Sequence, residues 1–211
     1  MKPTVSFDRQ EHWEKVYAQR TPPEVSWYQA HPSISYELIV LTGIGPSRKI
    51  IDVGGGASVL VDKLLDNGYK DVTVLDISSK AIDYAKERLG QRAEQVTWVI
   101  SDITEFEPPR PYDLWHDRAV FHFLTDPNDR QNDVEAMKKA LKPGGHAVIS
   151  AFSLQGPPKC SGLHVERYNA EKMRRALGEG FEVVKSIAET HTTPSKIRQE
   201  FIYCYFKRRE A

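Results

Sequence analysis

The chain has 211 residues, of which 40% are hydrophobic and 27% charged, enough for one α/β domain with a sizeable core. Lysine plus arginine equals aspartate plus glutamate at 29 each, a balance that argues against a nucleic-acid or anionic-membrane partner. No apolar run approaches the ~20 residues needed to span a bilayer, and Met1 to Gln10 lacks the apolar core of a signal peptide.

Residues 1–45 read as an N-terminal helical cap, followed by one domain over 46–211. Trp13, Val16 and Tyr17 share one face of a helix expected from about Phe7 to Gln19, which Thr21-Pro22-Pro23 breaks. The prolines are expected to hold Val25-Ser26-Trp27-Tyr28-Gln29 extended. A second helix begins at Ser33 and stops near Gly43. From Arg48, short apolar runs alternate with helical segments. Strands are expected at Lys49–Val53, Val72–Leu75, Gln95–Ile100, Tyr112–His116 and Gly145–Phe152. Helices are expected at Ser58–Asp66, Ser79–Leu89 and Asp133–Leu141. This rhythm implies a doubly wound, mostly parallel sheet with right-handed crossovers. After a helix capped by Asn169, Phe181–Ala188 and Gln199–Lys207 are strand-like with no helix between them. Such a short connection permits antiparallel pairing only, so the sheet is expected to carry one antiparallel strand near its end. Cys160 and Cys204 lack CxxC spacing and a His/Cys cluster, and read as reduced thiols of a cytoplasmic protein without a metal site.

The most informative segment is Asp52-Val53-Gly54-Gly55-Gly56-Ala57-Ser58, a buried strand running into three glycines and a helix. Glycine allows a sharp turn and close ligand approach, and in open α/β sheets ligands sit at the carboxyl ends of the strands. The dinucleotide fingerprint needs a glycine where Val59 stands, and the P-loop lysine is absent. A carboxylate at Asp52 repels a diphosphate and suits a cationic group such as the ammonium of a methionine moiety. Asp76 ends the second strand, where an acid can accept from both ribose hydroxyls. Asp102 follows the third and can accept from an exocyclic amine such as adenine N6. Amine, ribose and adenine contacts without a phosphate site describe S-adenosylmethionine (SAM). Each feature also has a plainer reading: a tight turn for the glycines, and caps of the following turns for Asp76 and Asp102.

Residues from about 48 to 150 resemble the class I SAM-dependent methyltransferases. Asp52-Val53-Gly54-Gly55-Gly56 looks like that family's first motif, with Ser58 at its third loop glycine. Asp76 matches its ribose acid and Asp102 its adenine-side acid. Tyr112-Asp113-Leu114 is similar to the start of its fourth strand, and Leu141-Lys142-Pro143-Gly144-Gly145 to the turn before its fifth. The resemblance implies SAM as cofactor, held by Asp52, Gly54, Gly55, Gly56, Ser58, Asp76, Ile77, Ser101, Asp102 and Ile103. Trp27 and Tyr28 of the cap are candidates to close over the cation, or are core anchors.

The sulfonium is already a good electrophile, so the protein has mainly to align an acceptor and exclude water. Trp115-His116-Asp117-Arg118-Ala119-Val120-Phe121-His122-Phe123 follows the fourth strand beside the glycine loop. His116 and His122 are candidate general bases, and Asp117 a candidate to orient one or to contact cofactor or acceptor. Their alternative is packing. The Asn/Asp-Pro-Pro-Tyr/Phe motif of exocyclic-amine methyltransferases is absent, which lowers the case for DNA or protein glutamine. The expectation is an enzyme methylating a small-molecule acceptor. A protein-lysine methyltransferase and a catalytically silent SAM-binding module stay open, and an NAD-dependent oxidoreductase is the distant alternative.

Overall fold

The computed structural model of the protein describes residues 7–210, so residues 1–6 of the expected cap lie outside the described residues. The elements are α1 (Arg9–Gln19), α2 (Ser33–Leu41), β1 (Lys49–Val53), α3 (Leu60–Asp66), β2 (Asp71–Asp76), α4 (Ser79–Leu89), β3 (Val96–Ile100), β4 (Tyr112–Arg118), α5 (Pro127–Ala140), β5 (Leu141–Phe152), β6 (Lys159–Cys160), β7 (Leu163–His164), α6 (Ala170–Leu177), β8 (Phe181–Thr192) and β9 (Arg198–Arg208). Seven strands form one sheet in the order β3-β2-β1-β4-β5-β9-β8. β1 to β5 pair in parallel, whereas β9 runs antiparallel to both β5 and β8. This is the expected doubly wound α/β sheet with one antiparallel strand.

Both faces of the sheet are covered, as a parallel sheet requires. Leu60, Val61 and Leu64 of α3 pack on Ile50, Val72, Val74 and Leu114. On the other face, Met137 of α5 and Met173 and Leu177 of α6 pack with Ile51, Trp115 and Ile149. Adjacent residues thus serve opposite faces, which explains why the strands read as unbroken apolar runs.

The structure moves several sequence-based boundaries, each for a local reason. α5 begins at Pro127, well before Asp133, because Asp126 Oδ1 accepts from Asn128 N at 2.7 Å and Pro127 opens the first turn. β5 begins at Leu141. The Lys142-Pro143-Gly144-Gly145 turn lies inside it as the register shift between Tyr112 and Leu114 of β4. Pro22–Glu24 is a single 3-10 turn rather than an extended lead into Trp27, because Glu24 reaches back to the Thr21 amide at 2.7 Å. β4 continues through Asp117 and Arg118. Asn169 caps α6 as expected, accepting from Lys172 N at 2.8 Å.

α1 crosses the carboxyl end of the sheet and is tied down at two points. The Glu14 carboxylate accepts from Ser79 N (2.6 Å), Ser79 Oγ (2.8 Å) and Ser78 Oγ (3.2 Å) at the first turn of α4. The positive end of α4 favours an anion there. Arg9 Nη1 donates to Asp102 Oδ2 and Thr104 Oγ1, both at 3.1 Å, and its Nη2 meets Asp129. Glu14→Ala is therefore expected to speed amide exchange across Arg9–Gln19 at least fivefold while leaving β1 and β4 protected. Uniform acceleration over the whole sheet would contradict a local tie.

Candidate active site

A two-lobed cleft opens at the carboxyl ends of β1, β2 and β4, beneath α1. The larger lobe runs past Asp76, Ile77, Ser101, Asp102 and Ile103 to Trp13, Phe123, Cys160 and Leu163. The smaller is bounded by Asp52, Gly55, Ser58, Tyr28, Ser35 and His116. Tyr17, Trp27, Val53, Gly54 and Arg118 belong to both.

The glycine loop has its shape for steric reasons. Gly54 sits at φ +67°, and a Cβ there would lie 2.0 Å from Val120 Cγ2. A Cβ on Gly55 would lie 2.4 Å from Asp52 Oδ2. The loop can fold back over its own acid only without side chains. Gly56 does not line the cleft. Its amide donates to Asp76 Oδ2 at 3.0 Å, and Ser78 N donates to Asp76 Oδ1 at 2.8 Å. Burial pushes the Asp76 carboxyl up to about 6, against the pull of these two amides. Asp102 is also engaged: its Oδ1 accepts from Thr104 N and Oγ1, both at 2.8 Å, and its Oδ2 from Arg9. It caps the short turn Ile103–Glu105 as well as lining the cleft.

Asp52 and His116 are opposite each other in the parallel β1–β4 pair. His116 Nδ1 meets Asp52 Oδ1 at 2.6 Å, and His116 Nε2 meets Ser35 Oγ at 2.9 Å. The carboxylate can only accept, which assigns the proton to Nδ1. Among the described residues Asp52 Oδ2 and Arg118 Nη2 are buried without a hydrogen-bond partner, and Arg118 Nη2 lies 3.9 Å from Glu189 Oε2. The rest of the Arg118 guanidinium is well held. Nε donates to Tyr203 Oη at 2.7 Å, Nη1 donates to Trp27 O at 2.8 Å, and the group lies over the Phe201 ring.

Two of the expected catalytic residues are displaced from the cleft. His122 is fully buried between Phe123 and Phe152, and its Nδ1 accepts from Phe152 N at 3.2 Å. Burial, aided by the Arg118 charge, lowers its pKa to about 3. It is a packed neutral histidine. Asp117 is 1% exposed and accepts from Val120 N and Phe121 N at 3.0 and 3.1 Å. It holds the turn after β4 and faces neither cofactor nor acceptor space. Ala119, in that turn, takes the left-handed φ of 68°. Residues not named as site candidates from the sequence also line the cleft: Arg9, Trp13, Tyr17, Ser35, Arg118, Phe123, Cys160 and Leu163. Trp13 and Tyr17 carried a signal in the shared face of α1, and Arg118 and Phe123 in the segment after β4; the rest meet across the fold.

Residues 50–145 match the sequence model of a methyltransferase domain family. The fold superposes on N-methyltransferase NodS from Bradyrhizobium japonicum WM9 in complex with S-adenosyl-L-homocysteine, with a TM-score of 0.73 at 20% identity, over 96% of this chain and 100% of that one. The fold is that of the class I SAM-dependent methyltransferases, and residues 50–145 match a methyltransferase domain. Among the relatives of this chain is the eEF1A lysine and N-terminal methyltransferase of Mus musculus, 32% identical over 159 residues. That match covers 72% of this chain and 22% of the relative. Nodulation protein S of Rhizobium tropici is 29% identical over 114 residues, covering 54% of this chain and 47% of that protein. The chain thus matches less than half the length of either relative.

The placement of His122 sets a pH test of the fold. The unfolded chain binds a proton near pH 6.5, while the folded state resists until about 3. The stability this histidine contributes is complete above pH 6.5 and is lost as pH falls towards 3. Between pH 7 and 5 the native protein should lose about 2 kcal/mol more than His122→Phe. Urea unfolding at the two pH values measures this; equal losses would show that the histidine is not held neutral.

Proposed function

We propose that the protein transfers a methyl group from SAM to a small-molecule acceptor. The observation that carries this reading is a pair of buried atoms of opposite charge without a hydrogen-bond partner among the described residues, Asp52 Oδ2 and Arg118 Nη2, on residues lining the same lobe, with the Glu189 carboxylate no nearer to Arg118 Nη2 than 3.9 Å. A buried polar atom without a partner is costly, and an α-amino acid end, with its ammonium and carboxylate, complements both. The larger lobe carries Asp76 for ribose hydroxyls and Asp102 with Ser101 beside it for the adenine amine, while Ile77 and Ile103 offer apolar contact to the base. Ser58 and Tyr28 border the amino acid lobe, and Trp27 spans the junction where the sulfonium would lie. Bound SAM supplies an electrophilic methyl. The chain's own residues fix its two ends, keep water out beneath α1, and present Trp13, Phe123, Cys160 and Leu163 as an apolar wall to the acceptor.

With His122 and Asp117 committed to packing, and His116 paired on both nitrogens, alignment and desolvation account for catalysis better than a histidine base. The open space beyond the junction favours an enzyme over a silent module. Its roof of α1 and its β6–β7 side favour a small acceptor. The mouse relative, by its name, supports protein lysine as the second reading. No helix among the described residues is long and apolar enough to cross a membrane, and both cysteines are free and buried, which supports a cytoplasmic setting.

Calorimetry is expected to find S-adenosylhomocysteine (SAH) binding and no comparable binding of NAD; tighter NAD binding would overturn the reading. A tritiated-methyl screen against metabolite pools and protein extract then separates the acceptor classes, and label in protein alone would favour the second. Asp76→Ala removes charge-assisted bonds of about 1.5–3 kcal/mol each, so SAH affinity should fall well over tenfold. Because burial lifts Asp76 to about 6, acid protonates the acceptor. SAH binding to the native protein should weaken on going from pH 7.5 to 5, by up to about tenfold for one group. The Asp76→Ala profile should lack that component. Parallel profiles would remove Asp76 from the ribose site.

A further inference from the structure

We propose that His116 and Ser35 form a positioning relay that aims the free oxygen of Asp52 at the cofactor's ammonium. The inference rests on the SAM reading and assigns His116 a role other than that of a base.

The β1–β4 register places Asp52 and His116 side by side. Ser35, in the first turn of α2, reaches the far nitrogen of the ring. All three are buried, at 1%, 3% and 1% exposure, and all line the smaller lobe. The chain of contacts runs Ser35 Oγ, 2.9 Å, His116, 2.6 Å, Asp52 Oδ1. Only Oδ2 is left over, and it has no partner among the described residues. The imidazole N–H holds Oδ1 and fixes the plane of the carboxyl. Gly55 leaves the space above Oδ2 clear, since a Cβ there would fall 2.4 Å from it. A triad of acid, imidazole and hydroxyl resembles a nucleophilic site, but here the hydroxyl is engaged by the ring and the atom without a partner among the described residues is Asp52 Oδ2, so the relay orients a carboxylate instead of activating a serine. Asp76 and Asp117 are the other acids near Asp52, and neither donates a hydrogen bond to it.

The test compares SAH with 5′-methylthioadenosine, which has the same nucleoside but no amino acid end. Calorimetry on native protein, His116→Phe, His116→Asn and Ser35→Ala reads the role. His116→Phe should weaken SAH at least tenfold and methylthioadenosine less than twofold. His116→Asn, whose amide can replace the Nδ1 donor, should fall closer to the native protein than to His116→Phe. Ser35→Ala keeps the ring and should weaken SAH by several-fold with the same ligand selectivity, which serves if His116→Phe does not fold. Equal losses for both ligands, or no loss for SAH, would overturn the relay while leaving the SAM reading intact. Native protein that binds neither ligand would overturn both.

Discussion

Everything at the carboxyl end of this sheet depends on burying two acidic side chains a few residues from three glycines. Asp52 and Asp76 end adjacent parallel strands and are 1% and 7% exposed. Each must find donors inside the protein. Asp76 finds two backbone amides, one from the glycine loop and one from the start of α4. Asp52 finds one imidazole. The loop is drawn back over both acids by this need, which excludes side chains from Gly55, above Asp52, and Gly56, above Asp76. The glycines and the acids are thus one feature, seen once as sterics and once as electrostatics.

The cap extends that feature. Trp27 donates from Nε1 to Tyr17 Oη at 3.3 Å, and Trp13 packs edge-on against both Trp27 and Phe123. The cluster joins residues before the sheet to the turn after β4. That turn is itself held by Asp117, and its Ala119 takes a backbone conformation that costs an L-residue energy. Arg118, between these two residues, is thereby fixed in direction. Its guanidinium reaches from β4 towards the Trp27 carbonyl and the Tyr203 hydroxyl of β9. One strand end therefore serves the cap, the sheet edge and both lobes.

Much of this was legible in the sequence because it is local. The strand-glycine-helix order, the acids at successive strand ends and the unbroken apolar runs all follow from neighbours in the chain. Arg118 was visible as a residue but not as a ligand-facing cation, because its partners Trp27 and Tyr203 lie far away along the chain. Arg9 was silent for the same reason, its partners being Asp102, Thr104 and Asp129. For the two histidines the sequence left a base and packing both open. His122 looked reactive in an aromatic stretch, yet only tertiary packing reveals that Phe123 and Phe152 enclose it. His116 looked like a base, yet strand register puts it against Asp52, and register is set by the whole sheet rather than by its own segment. Asp126-Pro127 was a readable helix start, and the apolar spacing from Val134 onwards drew attention past it.

The tie between α1 and the cleft bears on timing rather than affinity. Arg9 joins α1 to Asp102, a residue of the cleft wall, and Glu14 anchors the same helix beside Asp76. Any molecule lodged beneath that helix has its escape route crossed by these two contacts. Residence time is then set by how often the helix lifts, and spent cofactor leaves no faster than that. A tighter roof would hold the reacting pair together longer and slow the exchange of product for fresh cofactor, so the polar contacts of Arg9 and Glu14 set a compromise between commitment and turnover.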